Sequence, residues 1–267
     1  LIRQGFTAAA ADLSPAMVAR ARQNALAAGL PLRLATAGFG MLADAFGADP
    51  AEVAAFVKLA QQTGLELAVR SGGHSLANLE AAKRAIQAGL RGGTHLFNAM
   101  PPLEHRSPGL VAALLQSPEV TVGLIPDGLH LHPELVSLIW KLKGAERVAI
   151  VTDAMAALGM PPGEYRLAGS TARVDETSAQ LTDGTLAGSI LRMDAAVRNL
   201  TAFTGCSLRE AVYSATAAPA HLVGAVNKGW LRPGADADIV LLNPRGEVQG
   251  TIIKGEWIDA PGCQSHQ

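Results

Sequence analysis

Thr94-His95-Leu96-Phe97-Asn98-Ala99-Met100 decides how the chain is read, because it sets a histidine and an Asn-Ala step where a short strand would give way to a loop. Strand exits on one face of an α/β barrel are where such folds keep their chemistry. Working outward, Gly73-His74-Ser75 precedes this stretch, and Asp127-Gly128-Leu129-His130 and Val148-Ala149-Ile150-Val151-Thr152-Asp153 follow it. Each places an ionisable or metal-binding side chain just past an apolar run, and the set reads as a metal-assisted hydrolase.

Between residues 65 and 153 short apolar runs alternate with longer helical patterns, the signature of βα units around a parallel sheet. Strands are predicted at 65–69, 120–125 and 147–152, and helices at 79–88, 109–116 and 133–143, the first stopped by Gly89 and the last opened by Pro133. The fold class expected is therefore α/β, a (β/α) barrel that this chain holds incompletely, with a small C-terminal β segment. Beyond Asp153 the texture changes to polar-apolar alternation over 164–186, with the hairpin signal Asp183-Gly184. Helices follow at 189–203 and 207–217, then short strands at 239–242 and 251–257. Four segments result: 1–72, an atypical N-terminal α/β segment; 73–228, the hydrolase barrel portion; 229–258, the small β segment; and 259–267, a tail. Within the first, helices are expected at 14–28 and at 49–63, the latter opened by the capping box Asp49-Pro50-Ala51-Glu52, with a strand at 32–37 between them.

A chain of 267 residues with 49% hydrophobic content and a net charge of −1 buries its core as one large domain, or one with a small appendage. Its Lys and Arg residues form no cluster, which argues against nucleic acid as a partner. Cys206 and Cys263 match neither a disulfide framework nor a metal-ligand spacing, so a reducing, cytoplasmic setting is expected. No run approaches the ~18 apolar residues of a membrane span, and the N-terminus lacks a signal-peptide layout. The chain begins at Leu1 rather than Met and is read as a fragment or processed product.

The candidate chemistry rests on few residues. Neutral imidazole is a common ligand of borderline metals, so His74 and His95 are either two metal ligands or hydrogen-bonded loop residues. Asp153, at the mouth of an apolar run, either takes the proton of a metal-activated water and passes it to a leaving amine, or caps the next helix. His130 could donate to a substrate oxygen or phosphate, while Asp127 with Gly128 reads as turn chemistry. Arg106, just ahead of a helix, is an anion ligand or a solvated loop residue. The loop around Leu186, Ala187 and Gly188 offers free amides to a ligand, or is simply a tight turn.

Six motifs then stand in one order: Gly-His-Ser at 73–75, Thr-His-Leu-Phe-Asn-Ala-Met at 94–100, Arg-Ser-Pro-Gly-Leu at 106–110, Asp-Gly-Leu-His at 127–130, Val-Thr-Asp-Ala at 151–154 and Gly-Thr-Leu-Ala-Gly-Ser at 184–189. From Gly73 to Ile258 the chain resembles the N-acetylglucosamine-6-phosphate deacetylases of the amidohydrolase superfamily. The resemblance implies a divalent metal held by His74 and His95, zinc foremost with iron or manganese as alternatives. It also implies Asp153 as general acid/base, and Asn98, Ala99, Arg106, His130, Leu186, Ala187 and Gly188 as the holders of an amino-sugar phosphate. The implied assembly is a homodimer in which Arg106 reaches into the neighbouring site, and the implied reaction is hydrolysis of the acetamide to acetate and glucosamine 6-phosphate in amino-sugar catabolism.

One departure stands out. The family's further ligand, a Glu in a His-x-Glu-Gly-Pro-like motif upstream, has no counterpart: no histidine precedes His74, and the glutamates before it, Glu52 and Glu66, fit a helix cap and a strand. Instead, residues 11–17 resemble a piece of a class I methyltransferase, and 49–75, ending Arg-Ser-Gly-Gly-His-Ser, resemble flavin-binding domains. The alternatives are thus a catalytically impaired deacetylase-derived fragment that binds sugar phosphate or a partner, and a flavin-dependent oxidoreductase.

Overall fold

The structure is a computed structural model, and it describes residues 8–11, 32–35, 68–69, 79–87, 89–167 and 170–258. The helices expected at 14–28 and 49–63, the His74 loop, the tail and Cys263 lie outside the described residues. Two compact units are present: Leu1–Gly123 with Leu222–Gly224, and Leu124–His221 with Ala225–Gln267. Among the described residues no helix is long and apolar enough to cross a membrane.

In the first unit, β1 (Ala8–Ala11) pairs in parallel with β2 (Leu32–Ala35), Ala8 opposite Leu32. The sequence reading found β2 but not β1, because four alanines carry little strand propensity of their own and depend on the pairing. β3 (Ala68–Val69), β4 (Gly92–Gly93) and β5 (Thr121–Leu124) run parallel, with Ala68 opposite Gly92 and Gly92 opposite Thr121. Helices α1 (Leu79–Gln87) and α2 (Gly109–Gln116) form the two crossovers, as the alternating pattern predicts, and pack against each other. α2 is buried from Gly109 to Leu114, so it reads as apolar all round. A Cβ on Gly93 would lie 2.7 Å from Leu114 Cδ1, so glycine lets that helix sit close on the strand.

The second unit takes up the chain at Leu124, whose carbonyl accepts from Val151 N–H at 2.9 Å, just past β6 (Val148–Ile150). α3 (Pro133–Lys143) begins with His132 accepting from the Glu134 amide at 3.3 Å and ends at Gly144, φ 65°. Pro133 is preset for the first turn, and Lys141 and Lys143 complement the negative end of the helix dipole. α4 (Met193–Thr204) packs on α3 and on α5 (Leu208–Ala215), whose start is a reciprocal capping box between Ser207 and Glu210. The helix expected to run to 217 breaks at Thr216, whose φ of −130° is not helical, and restarts as α6 (Ala217–Leu222).

Two small antiparallel sheets complete this unit. β7 (Gly163–Leu167), β8 (Ser170–Val174) and β9 (Ala179–Leu181) form a meander over the expected hairpin region, with its own cluster of Met155, Ala157, Ala172, Val174, Ala179 and Ala187. β10 (Ile239–Leu242), β11 (Val248–Ile253) and β12 (Glu256–Ile258) form the second. The single strand expected at 251–257 is in fact two, folded back at Lys254-Gly255, where both residues have positive φ. Arg198 in α4 ties this sheet down, donating to the Gly246 carbonyl and to Asp194, both at 3.0 Å.

Candidate active site

His95 stands two residues beyond β4, in a turn that no regular strand or helix could make. His95, Phe97 and Ala99 have φ of 34°, 72° and 50°, a left-handed region that costs a non-glycine residue roughly 1–2 kcal/mol. The turn persists because its surroundings over-determine it. Leu96, fully buried, donates its N–H to the Gly123 carbonyl at 2.8 Å; the Asn98 amide donates to the His95 carbonyl at 2.9 Å, and the Asn98 side chain to the Leu96 carbonyl at 3.2 Å. A Cβ on Gly123 would stand 3.0 Å from the His95 nitrogen, so a larger residue there would push the turn away.

His95 Nδ1 is buried and has no hydrogen-bond partner. An orphaned buried polar atom costs about 1–3 kcal/mol, which a lone pair aimed at a metal ion would offset. The His95 imidazole therefore fits a metal ligand. Among the described residues no group of three His, Cys, Asp or Glu side chains could hold a metal, and the expected co-ligand His74 lies outside them. Asn98 and Ala99 share the His95 turn, while Arg106 is exposed on the loop leading to α2.

In the second unit, the segment after β5 builds a histidine-carboxylate pair. Asp127 Oδ1 accepts the amides of Leu129 at 2.9 Å and His130 at 2.8 Å, closing the turn expected from Asp-Gly. Its other oxygen lies 2.6 Å from His130 Nδ1, and the two side chains are 9% and 6% exposed. Burial pushes the Asp127 carboxyl up, but the bonds from the His130 side chain and the two amides outweigh it and hold the carboxyl below its usual range. An ionised carboxylate only accepts, so His130 Nδ1 carries a proton and Nε2 is left to face its surroundings. From the sequence, Asp127 reads as turn chemistry, and the structure adds the pairing with His130. The three-residue Asp-to-His spacing was the available signal for its second role.

Asp153 follows β6 by three residues and also has a left-handed φ, 50°. The expected loop meets it directly. Ser189 N–H donates to the Asp153 carbonyl at 2.8 Å, Met155 N–H to the Ser189 carbonyl at 2.9 Å, and Ser189 Oγ to the Thr152 carbonyl. A Cβ on Gly188, φ 83°, would fall 2.7 Å from the Asp153 carbonyl. Part of this loop's backbone is engaged rather than free: Thr185 N–H is taken by the Asp183 side chain, Ala187 N–H by the Ala179 carbonyl and Ser189 N–H by the Asp153 carbonyl, because the loop forms part of the β7–β9 meander. Ser189 itself was not a candidate residue, since a serine between two apolar stretches carries no sequence signal of a contact 37 positions away.

The family model of the amidohydrolase family matches residues 9–258. An N-acetylglucosamine-6-phosphate deacetylase from Lysinibacillus sphaericus is 43% identical over 183 residues, 68% of this chain and 47% of that protein. An N-acetylgalactosamine-6-phosphate deacetylase from Escherichia coli O157:H7 is 40% identical over 185 residues, 69% of this chain and 49% of its own length. Among solved structures, an N-acetyl-D-glucosamine-6-phosphate deacetylase from Mycobacterium smegmatis superposes with a TM-score of 0.75 at 32% identity, covering 95% of this chain and 77% of that one. The chain spans about half the length of the curated relatives it matches. These neighbours imply a TIM-barrel-like α/β fold; among the described residues the strands do not close into a barrel.

Proposed function

The chain belongs to the amidohydrolase family, and from that premise we propose that it hydrolyses the acetamide of N-acetylglucosamine 6-phosphate to glucosamine 6-phosphate and acetate. The observation that carries the reading is the orphaned, buried nitrogen of His95, because a metal ligand is the role that offsets its cost. The names of the relatives support the substrate class.

His95 and His74 would hold the divalent metal ion that members of the superfamily use, here proposed as zinc. When bound, such an ion lowers the pKa of water and polarises the amide carbonyl. Asp153 takes one proton as the water oxygen bonds to the carbonyl carbon, then returns it to the nitrogen as the C–N bond breaks. Asn98, Ala99, His130 and the residues 186–188 orient the sugar phosphate. Arg106, exposed on its loop, serves the neighbouring subunit of a homodimer. The proposed setting is cytoplasmic, in keeping with a chain of only two cysteines.

A second reading is specific. The Escherichia coli relative acts on the galactose epimer by its name, at an identity close to that of the glucosamine enzymes, so N-acetylgalactosamine 6-phosphate is the competing substrate. The test is acetate release from both sugar phosphates, run beside metal content by mass spectrometry on protein prepared without chelators. Near-stoichiometric metal with acetate release, both lost in His95→Gln, is expected. Folded protein with neither metal nor turnover would refute the proposal and leave a sugar-phosphate-binding remnant.

A further inference from the structure

We propose that Ser189 is a positioning residue, holding Asp153 in the one backbone conformation from which its carboxylate reaches the substrate. The inference rests on the reading of Asp153 as the group that moves the proton. Two peptide planes meet at the Asp153 Cα, and its φ and ψ are fixed once both planes are anchored. Here both carbonyls end on one side chain-backbone unit: Ser189 Oγ–H donates to the Thr152 carbonyl, and Ser189 N–H donates to the Asp153 carbonyl at 2.8 Å. The hydroxyl has one proton, and its direction is set, because Leu191 N–H donates into Oγ at 3.0 Å and leaves that proton for Thr152. Met155 N–H closes the clasp by donating to the Ser189 carbonyl at 2.9 Å.

The clasp has work to do. Asp153 sits at φ 50°, where an aspartate unsupported by its surroundings would relax into the β or right-handed region. Ser189 is 3% exposed, so its hydroxyl works out of reach of bulk water. Its backbone bond alone would anchor one plane and leave the other free to swing the carboxylate. A purely structural serine would lower stability when replaced and leave the turnover of the folded protein intact. A positioning serine would show in kcat.

The experiment compares Ser189→Ala, Ser189→Thr and Asp153→Asn with the unaltered chain, measuring kcat and KM on N-acetylglucosamine 6-phosphate and the thermal midpoint of each. Ser189→Ala is expected to lower kcat about 10- to 100-fold, the cost of a displacement near 1 Å, with KM little changed. Ser189→Thr, which keeps the hydroxyl, restores most of it. A second readout is independent of turnover. With 13C-carbonyl threonine and 15N-aspartate, the Thr-Asp steps at 152–153 and 182–183 give two amide signals, the former identified by its loss in Asp153→Asn. In Ser189→Ala the Asp153 signal shifts or broadens and the Asp183 signal stays. Unchanged kcat in folded Ser189→Ala, or an unmoved Asp153 signal, overturns the proposal while loss of turnover in Asp153→Asn leaves the function standing. Full turnover in Asp153→Asn overturns both.

Discussion

Replacing Asp127 by Asn tests whether the carboxylate dictates the state of His130. The side chains are nearly isosteric, and the amide oxygen can still accept from Leu129 and His130 at the positions now 2.9 and 2.8 Å away. What changes is the atom 2.6 Å from His130 Nδ1, which becomes an NH2 donor. Two donors cannot face each other, so Nδ1 must give up its proton and the ring carry it on Nε2. Flipping the amide to avoid this would turn NH2 toward two backbone N–H groups, a worse conflict. Either way a charge-assisted hydrogen bond gives way to a weaker neutral one in a nearly buried site, a loss of about 0.5–1.5 kcal/mol. For a chain of this size that lowers the thermal midpoint by roughly 1–6 °C. Nitrogen-15 correlation spectra of the histidine rings, with His130→Gln marking the signal, read the tautomer directly. A His130 ring still protonated at Nδ1 in Asp127→Asn, with the midpoint unmoved, would refute the reasoning.

Gly188→Ala and Gly184→Ala form a matched pair, since both glycines have φ near 84°, at 83° and 85°, but only Gly188 faces the Asp153 carbonyl while Gly184 has nothing within 4 Å. Gly184→Ala should cost roughly 1–2 kcal/mol for the left-handed conformation alone, and Gly188→Ala distinctly more, together with turnover; equal midpoints in denaturant unfolding would contradict the contact. Acid should weaken the fold through Asp175, whose carboxyl is held at about 2 by the amides of Thr177 and Ser178 and by the Thr177 hydroxyl. Because the folded pKa lies below the ordinary value of 3.8, this stabilisation is complete above pH 3.8 and fades as pH falls from there through about 2. Asp175→Asn should flatten the melting midpoint's dependence on pH across that window, and an unchanged slope would count against it.

Much of the fold was legible because it depends on local pattern. The helices Gly109–Gln116 and Pro133–Lys143 and the strand Ile239–Leu242 stand at the predicted bounds, where Pro, Gly and apolar periodicity agree. The break at Thr216 and the fold-back at Lys254-Gly255 were not, since each replaces a continuous pattern by a turn that tertiary packing selects. At the candidate site the sequence pointed to His95 and Asp153 through their places after apolar runs. It could not disclose that both adopt left-handed backbone, a conformation nothing in a His-Leu or Asp-Ala step demands. The same holds for the second duty of Asp127 and for the reach of Ser189, which depend on chain segments meeting in space.

The bridge between Ala154 and Ser189 gives the β7–β9 meander an unusual freedom. The excursion departs from the strand exit and returns to it at the same point, and it carries its own apolar cluster. Seen from the site, the stretch between is a closed side branch whose far turn, at Asp183–Thr185, is held by its own hydrogen bonds. Lengthening such a branch costs little, since closure entropy grows only with the logarithm of its length. Lineages descended from this chain can therefore remodel the meander, in length and in sequence, as a separate unit of inheritance, provided the residues of the clasp and of the 186–188 loop are kept.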